Sequence, residues 1–109
     1  MSGQEAITLL KLSIRRALLD EVTDRLQSVT CGLRERHIEI TAYFSDAVTK
    51  MDIERIQIVG AEVIADFPDG YTIEEHCASV QDQEEQILDF WVFRRDVRQA
   101  DSAGAPPNV

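Results

Sequence analysis

Glycine, histidine and cysteine are scarce in this chain, and each scarcity closes a route to chemistry. The five glycines are scattered, and none opens a helix in the G-x-x-x-x-G-K arrangement whose backbone N–H groups cradle phosphates, which argues against nucleoside triphosphate binding. His37 and His76 are the only histidines. Neither belongs to an H-E-x-x-H pair or a spaced Cys/His set, and His76 and Cys77, adjacent in an extended run, point to opposite faces. No metal and no cofactor are expected. Cys31 and Cys77 lie 46 positions apart without a C-x-x-C motif, and are read as reduced core thiols. To act as a nucleophile, either would have to meet a histidine across a sheet. Glu74 with Glu75, or Glu84 with Glu85, supply paired carboxylates, but neighbours of this kind are generally solvated rather than arranged for acid–base work. Enzyme activity is not expected. No apolar run approaches the roughly 20 residues that span a bilayer, and the opening residues carry no secretory pattern, so the expectation is a soluble, cytoplasmic protein away from membranes.

Basic residues are scarce in the middle of the chain. The net charge is −9, and it is unevenly distributed. Residues 1–45 hold six acids and six bases, residues 91–109 two acids and three bases, and residues 46–90 twelve acids against only Lys50 and Arg55. The middle alone therefore carries −10, twelve negative charges against two positive. Such a surface repels nucleic-acid phosphates and steers basic partners towards it, an attraction that salt weakens. Nucleic acid is not expected as a partner, and a basic protein is the alternative to a merely solvated acidic face.

The hydrophobic content, 44%, is enough for one modest core, so a single domain over residues 1–97 is expected. It is organised around the stretch from Thr49 to Tyr71. Ile53, Ile56, Val59, Gly60, Val63, Ile64 and Phe67 recur at three- and four-residue steps, which predicts a helix with one buried side. Thr49 caps its start, with Asp52 in the first turn; Pro68 and then Asp69-Gly70 end it. An earlier helix is predicted over residues 5–21, with Ile7, Leu10, Ile14, Ala17, Leu18 and Leu19 inward and Lys11, Arg15 and Arg16 outward. Between the two, Val29, Cys31 and Leu33, then Ile38, Ile40, Ala42 and Phe44, alternate with polar residues as in two strands of a hairpin. After Gly70 a third strand is expected over residues 71–80. In it Glu75 falls on the apolar side, which indicates either an edge strand with an inward charge or a bulge. Gln81–Gln86 reads as a loop, residues 87–97 as a last and nearly continuous apolar strand, and residues 98–109 as a disordered tail. The αββαββ order points to an α+β two-layer sandwich, with a four-stranded antiparallel sheet and both helices on one face.

What remains for function is a surface. Glu54, Glu62 and Asp66 on the central helix, Asp69 in the turn, Glu74 on the third strand, and Asp82, Glu84 and Glu85 in the polar loop fall in one block of sequence, beside Tyr71 and near Trp91. Acids around an aromatic anchor suit the capture of a basic protein, because charge speeds encounter and the aromatic supplies a buried contact.

RRALLDEV at residues 15–22, ITAYFSD at 40–46, AEVIADFPDGY at 61–71 and DFWVFRRD at 89–96 together resemble small bacterial proteins encoded beside polymorphic toxins, including immunity proteins of contact-dependent growth inhibition systems. The resemblance spans about residues 9–96. It implies a cytoplasmic immunity protein that binds a cognate toxin domain tightly and blocks its active site or substrate cleft; the acidic surface, taken by itself, suits a basic, nuclease-type toxin. It carries over no binding residue, so the nine residues above rest on charge and position alone. Two other readings stay open: a structural domain that forms homodimers through Phe90, Trp91, Val92 and Phe93, and a small enzyme or ligand-binding domain.

Overall fold

Both helices begin at reciprocal caps. In the computed structural model, which describes residues 1–95, α1 spans Gly3–Leu18 and α2 spans Lys50–Ala65. The Ser2 hydroxyl accepts from the Glu5 N–H while the Glu5 carboxylate accepts from the Ser2 N–H, and Thr49 and Asp52 repeat the arrangement at α2. Each box satisfies N–H groups that the first helical turn leaves without partners. The strands are β1 (Leu26–Arg34), β2 (His37–Phe44), β3 (Thr72–Ser79) and β4 (Phe90–Arg94). The expected last strand thus starts three residues late, at Phe90. Its final residues, Asp96 and Val97, and the expected tail at 98–109 lie outside the described residues.

β1 and β2 form the expected antiparallel hairpin, closed at the pair Arg34 and His37. Glu35, in its turn, adopts left-handed backbone (φ 56°), a conformation that glycine would take at less cost. The expected antiparallel sheet needs correction. In space the strands are ordered β3-β2-β1-β4, and β2 and β3 run parallel while the other two pairs are antiparallel. The sheet of this α+β fold is therefore mixed. The cause is α2: parallel neighbours need a crossover of a dozen or more residues, and α2 carries the chain from the end of β2 back to its start. There the Thr72 N–H donates to the Arg36 carbonyl at 2.9 Å. Gly70, with φ 97°, makes the turn that allows the return.

One sheet face and both helices enclose the core. Val29, Cys31, Ile38, Ile40, Ala42 and Phe44 pack against Ala6, Leu10, Ile14, Ala17 and Leu18 of α1 and Ile56, Val59 and Val63 of α2. The helix stripes differ from expectation in three places. Ile7 is only half-buried, and Leu9 rather than Ile7 packs against the core. Leu19 lies beyond α1 and is 76% exposed, and Ile53 is 41% exposed. Asp52 occupies the inward position in the first turn of α2 instead, buried against Arg25. The Arg25 guanidinium donates through Nε to both carboxylate oxygens (3.2 Å each) and through Nη2 to Oδ2 (2.9 Å). Nη2 also donates to the Ala47 carbonyl at 2.6 Å.

β3 is an edge strand with Glu75 pointing inward, the first of the two expected alternatives. No bulge is present, because its register with β2 is unbroken from Thr72 to Ser79. Gly60 of α2 makes the room: a Cβ there would lie 1.8 Å from Glu75 Oε2. The opposite sheet face is covered by the 80–89 connection, which crosses β2 and β1 to reach β4. The Gln86 N–H donates to the Tyr43 hydroxyl (3.0 Å), the Leu88 N–H to Thr30 Oγ1 (2.9 Å), and the Leu33 N–H to Asp89 Oδ2 (2.8 Å). This explains why Ser28, Thr30 and Tyr43, on the face away from the helices, are buried.

Two outcomes check this description. Ile56→Ala, at a fully buried position, should cost about 2–5 kcal/mol in urea unfolding, while Ile53→Ala should stay within about 0.5 kcal/mol; equal losses would contradict the helix orientation. Burial pushes the Asp52 pKa up, but the Arg25 guanidinium and the Thr49 N–H and hydroxyl outweigh it and hold the carboxyl below its usual value. A group depressed in the folded state stabilises fully above its unfolded pKa, about 3.9, and that stabilisation is lost as pH falls through the folded value. Asp52→Asn should therefore flatten the acid limb of stability against pH, measured from pH 7 down to 2. An unchanged slope would remove Asp52 from the acid response.

Candidate functional site

Of the nine residues singled out, the eight acids occupy two opposite layers. Glu54 and Glu62 project from α2 on the helix side of the sheet, with Asp66 at the helix end and Asp69 in the turn after it. Glu74 lies on the far face of β3, in register with Glu39. Asp82, Glu84 and Glu85 belong to the connection over that far face. The charge of the middle segment is thus divided between the two sides of the molecule.

Four of the nine are engaged within the chain. Asp66 accepts from the Ser13 hydroxyl at 2.6 Å and pairs with Arg16, tying the end of α2 to α1. Glu85 accepts from the buried Ser28 hydroxyl and fastens the connection to β1. Tyr71 is half-buried, its ring 5.0 Å from that of Phe67, which makes it a rim of the core more than a free anchor. Glu74 is held between both histidines. The other five, Glu54, Glu62, Asp69, Asp82 and Glu84, are exposed and make no side-chain hydrogen bond or ion pair among the described residues.

α2 also presents apolar side chains to solvent. Met51, Glu54, Ile58 and Glu62 follow at three- and four-residue steps and so share one stripe. Met51 is 59% and Ile58 46% exposed. Two unengaged carboxylates therefore flank Ile58 on a rigid helix. Periodicity alone missed this feature, because Ile53 competes with Ile58 for the apolar stripe and only the burial of Asp52 settles which side of the helix faces in.

On the far face of the β2–β3 pair, both histidines of the chain meet one carboxylate. His37 Nε2 lies 3.1 Å from Glu74 Oε1, and His37 Nδ1 lies 2.7 Å from Thr72 Oγ1. His76 Nε2 lies 2.9 Å from Glu74 Oε2 and 3.6 Å from Glu39 Oε2. These residues come from segments 35 or more positions apart, joined by the parallel pairing that sequence patterning did not supply.

The cysteines face the helix side and are both free. β2 separates their strands, and the registers offset them by two residues along it, which sets them about 11–12 Å apart, beyond disulfide reach. Burial, reinforced by Asp89, pushes the Cys31 thiol up to about 12, and burial with Asp52 and Glu75 pushes Cys77 up to about 11. Thiols held protonated in this way are poor nucleophiles at neutral pH. Among the described residues, no helix is long and apolar enough to cross a membrane.

Comparison with curated proteins finds no match. The model of the MafI2 immunity protein family matches residues 8–97, a span that includes both helices from the second turn of α1 onward and all four strands. That match covers most of the chain, and this chain belongs to the MafI2 immunity protein family.

Proposed function

We propose that this protein neutralises a cognate toxin domain by binding it, without catalysis, and that the contact is made by the outer stripe of α2. The family assignment supports immunity as the role. The observation that carries the surface is the stripe itself, where Glu54 and Glu62, unengaged among the described residues, flank the exposed Ile58. Acids of this kind speed the approach of a basic protein, and an exposed aliphatic side chain on a rigid helix supplies contact area that water leaves on binding. Asp69 extends the same side. Asp82 and Glu84, on the opposite layer, contribute to the long-range field that steers the partner. A basic toxin, such as one acting on nucleic acid, fits this charge.

Reversing Glu54 and Glu62 together to lysine should slow association with the toxin domain by about tenfold at low salt and flatten its salt dependence, while leaving the far-ultraviolet circular dichroism unchanged. Rates equal to the native protein's would remove α2 from the interface. Failure of the native protein to bind the toxin, or to protect cells that express it, would instead contradict the immunity role.

A separate observation favours self-association as a second reading. Leu19, 76% exposed, lines a cleft of about 280 Å³ with Leu18, Val22, Val92 and Phe93, next to β4, which is an edge strand of the sheet. Edge strands pair readily with copies of themselves. If that surface is the interface, light scattering will find a salt-insensitive dimer that Leu19→Asp dissociates; a monomer at high concentration would exclude it.

A further inference from the structure

We propose that the far face of the β2–β3 pair is a binding site for a divalent transition-metal ion, with His76, Glu39 and Glu74 as its ligands and His37 as the residue that holds Glu74 in place. The site is independent of the toxin-binding surface, which lies on the other side of the sheet.

The geometry points to a metal in three ways. First, one nitrogen and two oxygens converge: His76 Nε2 is 2.9 Å from Glu74 Oε2 and 3.6 Å from Glu39 Oε2, and the three ligand atoms lie within 4.8 Å of one another. A tetrahedral ion with bonds of roughly 2.0–2.2 Å separates its ligands by about 3.3–3.6 Å, so small side-chain adjustments close the site around an ion. Second, the ligands stand on a rigid frame, because Glu39 and Glu74 are paired residues of adjacent parallel strands and His76 follows Glu74 on the same face. The remaining oxygen of Glu74 is taken by His37 Nε2 at 3.1 Å, and His37 is itself set by Thr72 at 2.7 Å. If the Thr72 hydroxyl donates to Nδ1, the ring proton lies on Nε2 and is donated to Glu74, the supporting contact typical of ligating carboxylates. Third, Glu39 and Glu74 are register partners on adjacent strands, so two like charges stand side by side on one face, and a cation held between them relieves their repulsion.

The donor set selects the class of ion. One imidazole with two carboxylates suits zinc and its first-row neighbours, whereas calcium and magnesium favour oxygen alone. On binding, His76 Nε2 gives up its hydrogen bond to Glu74 and offers its lone pair, and the ring proton resides on Nδ1. Three protein ligands leave a fourth position for water. The side chains are 40–51% exposed, so the ion enters directly from solvent.

Titration calorimetry of the full chain with zinc chloride tests the site, with cobalt(II) absorption as a second readout. One zinc ion per chain is expected. His76→Ala and Glu74→Gln should each weaken binding at least tenfold, and His37→Ala by about tenfold, the usual effect of losing such a support. Glu54→Gln should leave it unchanged. No binding at millimolar zinc, or binding that His76→Ala leaves intact, would overturn the proposal. So would an equal loss in Glu54→Gln, which would mean diffuse attraction to acidic surface. A thiolate-to-cobalt charge-transfer band that Cys77→Ser abolishes would place the ion on the cysteine and overturn it as well.

Discussion

The ion pair between Arg25 and Asp52 joins the two layers at the point where both are defined. Arg25 immediately precedes β1, and Asp52 lies in the first turn of α2. The same carboxylate closes the Thr49 cap, accepting the Thr49 N–H at 2.9 Å. One buried group therefore starts the helix, fixes its rotation and anchors it beside the first strand. The orientation of α2 follows from this. With Asp52 inward, Ile56, Val59 and Val63 fall into the core, Gly60 meets Glu75 on β3, and Met51 and Ile58 are left to solvent. A buried charge without its partner is strongly destabilising, so the contact acts as much to forbid other rotations of α2 as to add stability.

The same crossover creates the two surfaces proposed for toxin and metal binding. Because α2 returns the chain to the start of β2, β3 pairs parallel to it and brings Glu74 and His76 beside Glu39 and His37. Because β3 and β4 then sit at opposite edges, the polar connection must cross the far face. Its hydrogen bonds to Thr30, Leu33 and Tyr43 turn what composition reads as a plain loop into a cover. The acidic middle segment is thereby split, with α2 on one side and the connection on the other. An interface that needs all of these acids at once is not available on this fold; on the helix side, the exposed Met51 and Ile58 share one stripe of a rigid helix with the unengaged Glu54 and Glu62.

Much of this was legible in the sequence where local chemistry decides it. The Thr49 cap, the stop at Pro68 and Gly70, and the alternation of Ile38, Ile40, Ala42 and Phe44 depend on near neighbours and were read correctly. The inward charge of Glu75 was also visible, as a break in pattern, though not its accommodation by Gly60, which lies fifteen positions earlier. Strand direction was not legible, because an αββ unit repeated twice is compatible with a parallel or an antiparallel return. The orientation of Ile53 against Ile58 was hidden for a similar reason: a buried aspartate looks like a surface residue until its arginine, 27 positions away, is placed. The candidate site was least legible. Charge marked an acidic segment, but contiguity in sequence does not imply a shared face, and Asp66, Glu74 and Glu85 are engaged within the chain.

The central claim is that immunity acts through the outer stripe of α2, and the structure of the complex with the cognate toxin domain tests it most directly. The account predicts Ile58 buried at the centre of the interface, with Glu54 and Glu62 against basic toxin side chains. A complex in which that stripe remains in solvent, with the toxin seated on the β4 edge or on the far face of the sheet, would contradict it.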